Sequence, residues 1–269
     1  MMIELLSYPF FRNALIGLVI ISVACGMIGT YIISRRLVAI SGGITHACFG
    51  GLGLGYFLGV SPIAMAAVFA VASSLGVETL SSRYRLREDS AIAVIWAIGM
   101  ALGVIFVFLT PGYVPELNSF LFGNILTVGL TDLLSFGCYT LALGLFFMFF
   151  FNKIVATAFD RDFARVSGLP VGFITTCMTV FVALCIVLTI KLVGIMLLMS
   201  MLSLPQLIAE IFCKEFKKLI ALSILTGIVG SVTGLFLSAI INVPCSALIV
   251  AVYAVMFVAC KLISVCIHR

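Results

Sequence analysis

Long apolar runs, almost unbroken by charge, constrain this chain more than any other feature. They recur from Asn13 to Val265, and each approaches the ~20 residues a helix needs to cross the hydrocarbon layer. A helix on a soluble core keeps a polar face and cannot stay apolar all round. Only 9% of the 269 residues are charged and 64% are hydrophobic, whereas a soluble domain has about 25% and about 45–50%. The runs fill the whole length, so one greasy anchor on a soluble domain is excluded. They are continuous rather than alternating, unlike the strands of a membrane barrel. The expected fold is an all-α polytopic membrane protein with about eight to ten transmembrane helices, a single transmembrane domain over 1–269.

Spans are predicted at 13–33, 37–59, 60–80, 91–110, 131–151, 171–191, 193–212, 219–241 and 245–265. Residues 113–130 are mixed and suit a short re-entrant piece. The segment 37–59 is the poorest ideal helix because it is rich in glycine. Basic side chains resist translocation and collect in cytoplasmic loops. If Arg35 and Arg36 lie inside and every later span crosses once, all the Lys and Arg fall inside except Arg12 and Lys191, thirteen of fifteen. That pattern predicts nine spans, the N-terminus outside and the C-terminus cytoplasmic. The net charge of +5 is therefore loop charge of a membrane protein and not a nucleic-acid footprint. Asn13 to Ile33 is long enough to span and no basic n-region precedes it, so no signal peptide is expected. Nine cysteines are scattered through apolar runs without a C-x-x-C pair, which argues against a disulfide framework or a structural zinc site.

Missing motifs narrow the function. There is no G-x-x-x-x-G-K-[ST], so the chain has no P-loop to hold ATP phosphates. It has no H-E-x-x-H and no G-x-S-x-G. With only His46 and His268 a multi-histidine catalytic metal centre cannot be built. The reading is not an enzyme. The longest polar stretch, 152–170, is too short for a soluble domain, so an energy source or a soluble receptor has to be another protein.

Two segments carry candidate function. In Ser41 to Gly55, glycines surround His46, and seven of the 24 glycines lie between 42 and 59. Glycine allows close helix approach or local unwinding around a cavity. An imidazole is costly against lipid, so His46 should face protein or a pathway; it suits zinc, copper, iron or nickel. Two readings stand: a packing histidine, or a residue of a metal route. The second segment, 156–169, reads as a short amphipathic helix with Ala156, Phe159, Phe163 and Val166 near one face, stopped by Gly168 with Pro170 beyond it. It either lies on the membrane surface or docks on a cytoplasmic partner. Glu78, Asp132, Lys191 and Glu210 lie near span ends, where charge is tolerated. Met196, Met199 and Met201 form a cluster that fits flexible core packing, although thioethers also bind soft metals.

Several stretches, in order along the chain, carry a resemblance. Arg36-Leu-Val-Ala-Ile-Ser-Gly-Gly-Ile-Thr-His46-Ala, Arg87-Glu-Asp-Ser-Ala-Ile-Ala-Val, Ser119-Phe-Leu-Phe-Gly-Asn-Ile-Leu, Asp160 to Val171, Val193 to Pro205, and Thr233 to Pro244 resemble the zinc/manganese/iron ABC permease family. The resemblance implies a type II importer-like permease of the bacterial inner membrane. It implies ATP-driven import of a divalent metal by alternating access, with ATP and Mg on two partner ATPase subunits and no cofactor on this chain. Further implied partners are an extracytoplasmic metal-binding protein and a second copy of the chain. It makes 156–169 a coupling helix, with Phe159, Asp160, Arg161, Phe163, Ala164, Arg165 and Gly168 toward the ATPase, and puts His46, with Gly42 and Thr45, on the translocation pathway. One residue departs from the pattern. The family has an acidic residue four positions before the histidine, one helical turn away, and here that position is Gly42. Rival readings are a permease for an iron chelate or a vitamin, a passive metal channel, and an intramembrane enzyme. The last lacks a Ser–His or paired-Asp arrangement.

Overall fold

A computed structural model describes residues 7–111, 123 and 125–267. Among these residues there is no strand. The helices are α1 (Pro9–Ser34), α2 (Val38–Leu58), α3 (Pro62–Ser82), α4 (Glu88–Leu109), α5 (Leu130–Phe159), α6 (Arg161–Val166), α7 (Val171–Met201), α8 (Leu204–Phe212), α9 (Phe216–Ile241) and α10 (Cys245–Ile267), with a three-residue 3-10 turn at Ile125–Thr127. Eight stretches are long and apolar enough to cross a membrane. The spans expected at 171–191 and 193–212 fall inside one of them, Val171–Phe212, which is 42 residues long, about twice a single crossing. Gly194 interrupts it with φ 80° and ψ 171°, a conformation open to glycine and not to residues with a Cβ. The re-entrant piece expected at 113–130 falls mostly outside the described residues, as do Ser119 to Phe122, Asn124 and His268.

Local chemistry explains the helix ends. Ser61 accepts a hydrogen bond from the Ala64 N–H at 3.4 Å, and Pro62 occupies the first turn of α3, where its missing N–H costs nothing. Gly59 closes α2 in the left-handed region, φ 67°. Asn242 does the same for α9 at φ 60°. The glycine-rich segment 37–59, a poor helix by propensity, is helical over Val38–Leu58 because neighbours pack onto its glycines.

By packing, the chain divides into two compact units. The described residues of Met1–Ile33, Asn118–Phe146 and Leu192–Arg269 form the first, and those of Ser34–Leu117 and Phe147–Lys191 the second. In the first unit α1, α8, α9 and α10 enclose a core that includes Leu18, Ile21, Ile28 and Tyr253, all fully buried. Close helix approach again depends on glycine: a Cβ on Gly234 would lie 2.7 Å from the Ile249 Cα. Two buried side-chain donors are paired inside this core. Gln206 donates to the Cys25 carbonyl at 2.8 Å, and the Tyr253 hydroxyl donates to the Gly227 carbonyl at 2.7 Å. Unsatisfied groups at these depths would each cost about 1–3 kcal/mol.

In the second unit α2 is the centre, with α3 and α4 against it. A Cβ on Gly51 would lie 2.5 Å from the Met65 carbonyl oxygen, and one on Gly55 2.6 Å from the Pro62 Cα, which sets α3 on one side. Gly53 and Gly103 meet in the same way on the α4 side. The opposite side of α4 carries exposed Val94, Ile98, Ile105 and Phe108. An apolar outer face over a glycine-lined inner face is how a membrane helix divides lipid contact from helix contact.

Candidate functional site

His46 lies on α2, about 12 Å along the helix from Val38 at 1.5 Å per residue. It is half-buried. Its ring lies flat on the Trp96 indole of α4, with centroids 4.6 Å apart and planes within 1°; Phe49 stacks at 5.9 Å. The stack fixes the imidazole plane and leaves its nitrogens at the edge. Nδ1 is buried and has no hydrogen-bond partner. A buried ring nitrogen without a partner is costly, and an ion or a water can take it. Trp96 is 41% exposed.

The other two residues expected beside His46 offer less. Thr45 is fully buried, and its hydroxyl donates to the Ser41 carbonyl one turn back at 2.5 Å. Gly42 is buried and has no donor side chain. Cys48 is buried in α2. Among the described residues no group of three or more His, Cys, Asp and Glu side chains could hold a metal ion. His46 therefore belongs to no such group among the described residues. Met201 is buried in the core of its unit, and Met196 and Met199 are partly exposed.

Trp96 is the neighbour that sequence reasoning did not single out. The signal that could have found it is a row on α4: Glu88, Ile92, Trp96, Gly99 and Gly103 are spaced three or four residues apart and share a face. Gly99-x-x-x-Gly103 within it is a small-residue packing motif. The row runs along α2. Ile92 fills the space beside Gly43, Gly99 abuts Ala47, and Gly103 abuts the Phe49–Gly50 backbone.

The segment expected as one helix over 156–169 is divided. Ala156 to Phe159 finish α5, and α6 begins after Asp160. Asp160 causes the break: its carboxylate accepts the N–H groups of Asp162 and Phe163 at 3.0 and 2.8 Å, an N-cap that starts a new helix. Gly168, at φ 75°, closes the turn that follows. The side chains of α6 sort into two sets. Phe163 and Val166 are 65% and 90% exposed, and Phe159 and Arg165 are exposed beside them. Ala164 is fully buried.

Arg161 belongs to the inward set. Its guanidinium donates to Glu78 of α3 at 3.0 Å and to Glu88 of α4 at 3.3 Å. The same Glu88 oxygen accepts from Arg35, which follows α1, at 2.7 Å. Two cations and two carboxylates therefore link α6, the end of α3, the start of α4 and the α1–α2 junction at one end of this unit. The Arg35 side chain is only 6% exposed, so this cluster is screened less than an exposed pair.

The comparisons with known proteins agree with this architecture. The model of the ABC 3 transport family matches residues 7–264. An uncharacterized membrane protein of Synechocystis is 35% identical over 257 residues, covering 95% of this chain and 91% of its own. The manganese transport system membrane protein MntC of Halalkalibacterium halodurans is 30% identical over 258 residues, covering 94% and 87%. Among solved structures, PsaBC from Streptococcus pneumoniae in complex with a Fab superposes with a TM-score of 0.83 at 29% identity, covering 97% of this chain and 95% of that one. An inward-facing metal-chelate type ABC transporter shares the fold alone, with a TM-score of 0.75 at 15% identity. With its apolar helices, its row of glycines under His46 and a family match along almost its whole length, the chain belongs to the ABC 3 transport family as a membrane permease.

Proposed function

We propose that this chain is the membrane-spanning subunit of an ATP-driven importer for a divalent transition-metal ion, with manganese the first cargo to test and zinc and iron beside it. The observation that carries the reading is α6. A six-residue helix, capped at Asp160 and held by ion pairs on its inner side, turns Phe163 and Val166 outward. Exposed aromatic and aliphatic side chains on a rigid, short helix suit a protein partner. In this reading the partner is a cytoplasmic ATPase, which binds and hydrolyses ATP with Mg. Phe159, Phe163, Arg165 and Val166 meet it, while Asp160, Arg161, Ala164 and Gly168 hold the helix in place.

The cargo is inferred from the name of the Halalkalibacterium relative, MntC of a manganese transport system, and from the unpartnered nitrogen of His46. An imidazole is a ligand for first-row divalent ions, and one donor without a carboxylate binds weakly enough to let an ion leave. ATP-driven movement of α6 switches access to the His46–Trp96 pair between the two sides of the membrane. A second copy of the chain and an extracytoplasmic metal-binding protein complete the system. In this reading the C-terminus is cytoplasmic, which the Lys and Arg distribution supports.

Reconstitution of the chain with its ATPase in proteoliposomes tests this. Manganese should accumulate only with ATP, and the ATPase rate should rise with the metal-loaded binding protein. ATP hydrolysis without accumulation of manganese, zinc or iron would refute the proposal.

A further inference from the structure

The ion pairs around α6 do more than hold a helix end. Arg161 opens α6, and its two terminal nitrogens engage different helices, Nη2 with Glu78 of α3 and Nη1 with Glu88 of α4. A planar guanidinium can fork in this way; an ammonium is a single point of charge. Arg35 shares the Glu88 oxygen, so Glu88 is the hub. Arg161 lines two cavities of about 270 and 290 Å³, one with Glu88 and the other with Glu78, and its Nε is buried without a partner. Arg161 therefore has room to shift without dismantling the core beneath it.

Glu88 also starts the α4 row that ends on α2. Above it come Ile92 against Gly43, Trp96 stacked on His46, and Gly99 and Gly103 against α2 backbone. A Cβ at Gly103 would lie 2.6 Å from the Phe49 carbonyl oxygen, so backbone meets backbone. No long side chain lies between the helices there to absorb sliding, and close-packed interfaces transmit strain. A pull on Glu88 thus moves α4 with the part of α2 that carries His46.

We infer that Arg161 is a positioning residue for transport, coupling α6 through Glu88, and through Glu78 beside it, to the His46–Trp96 pair. The inference rests on the proposed function of α6 and of His46. It assigns this chain's internal linkage to residues distinct from those that meet the ATPase.

The test uses the complete complex in proteoliposomes and measures manganese taken up per ATP hydrolysed, together with ATPase co-purification and thermal midpoint. Arg161→Ala and Glu88→Gln should keep the ATPase bound and hydrolysis near the wild-type rate, while uptake per ATP falls about five- to ten-fold, within the usual range of coupling between sites. Arg161→Lys should recover part of the ratio, because it keeps the charge and loses the fork. Glu78→Gln should give a smaller loss. The isosteric Glu→Gln variants decide the matter if Arg161→Ala fails to assemble. An unchanged ratio in assembled Arg161→Ala and Glu88→Gln overturns the inference and leaves the proposed function standing. Loss of assembly in Glu88→Gln also overturns it, since the cluster would then serve folding alone. A wild-type complex that hydrolyses ATP and accumulates no metal removes both.

Discussion

Replacing Gly103 with alanine tests the tight α2–α4 seam most directly. The added Cβ would meet the Phe49 carbonyl oxygen at 2.6 Å, the Phe49 carbonyl carbon at 2.7 Å and the Gly50 nitrogen at 3.0 Å. Ordinary contact begins at 3.4 Å, so the helices must part by roughly 0.8 Å. All three atoms belong to backbone, and no rotamer change relieves them. Overpacking of this kind costs about 1–3 kcal/mol, against a helix-propensity gain of about 1 kcal/mol for alanine over glycine. The net is a destabilisation of about 0–2 kcal/mol, or a fall in thermal midpoint of up to about 8 °C for a chain of this size. Gly137 and Gly144 provide the control: a Cβ at either meets nothing within 4 Å. Gly137→Ala and Gly144→Ala should therefore hold or raise the midpoint. The assay is thermal unfolding of the detergent-purified chain, with Trp96 emission as a local probe, since it is the only tryptophan and stacks on His46 one turn from Gly99. Equal midpoints for Gly103→Ala and Gly137→Ala, with unchanged Trp96 emission, would refute the idea that backbone contact holds α4 on α2.

Other predictions follow from the same geometry. His46→Ala should reduce manganese uptake by the reconstituted complex while ATPase co-purification and thermal midpoint persist; unchanged uptake would return His46 to a packing role. Val166→Asp and Phe163→Ala should abolish ATPase co-purification with little effect on the midpoint, because both side chains are exposed; retained co-purification would place the docking surface elsewhere. Tyr253→Phe should lower the midpoint, since it removes a buried hydrogen bond to the Gly227 carbonyl worth about 1 kcal/mol; thermal unfolding reads this directly.

The membrane helices were legible because lipid imposes one simple requirement, apolar length, and the sequence meets it without ambiguity. The expected 219–241 and 245–265 lie inside α9 and α10. The break expected between 171–191 and 193–212 falls within three residues of Gly194, where the backbone leaves the helical region, because Lys191 marks a polar point inside the apolar run. The 156–169 segment was recognisable, but the boundary at Asp160 depends on which N–H groups its carboxylate caps, and composition does not encode that. The cluster around Arg161 was the least visible. Its partners Glu78 and Glu88 are 83 and 73 residues away, and Glu78 read as an ordinary charge near a span end. The basic-loop pattern placed Arg35, Arg87 and Arg161 on one side of the membrane, and that was the one hint that such partners could meet. Trp96 was less visible for a different reason: beyond its first turn its helix is apolar nearly all round, so only the spacing of Gly99 and Gly103 marks the face on which it lies.

These contacts also limit how access at His46 can change. Sliding of α2 along α4 is opposed by the Gly43–Ile92, Ala47–Gly99 and Phe49–Gly103 contacts, and an imidazole lying flat on an indole cannot turn about its own axis without leaving the stack. Two kinds of motion remain. The α2–α4 pair can move together, driven from its Glu88 end, or the partly exposed Trp96 can swing away and uncover the His46 ring. The first requires an intact Arg161 cluster and the second does not. Uptake per ATP in Glu88→Gln, read together with Trp96 emission in the same variant, separates them. Retained uptake with emission that still responds to ATP assigns the gate to the indole; loss of both assigns it to the joined helices.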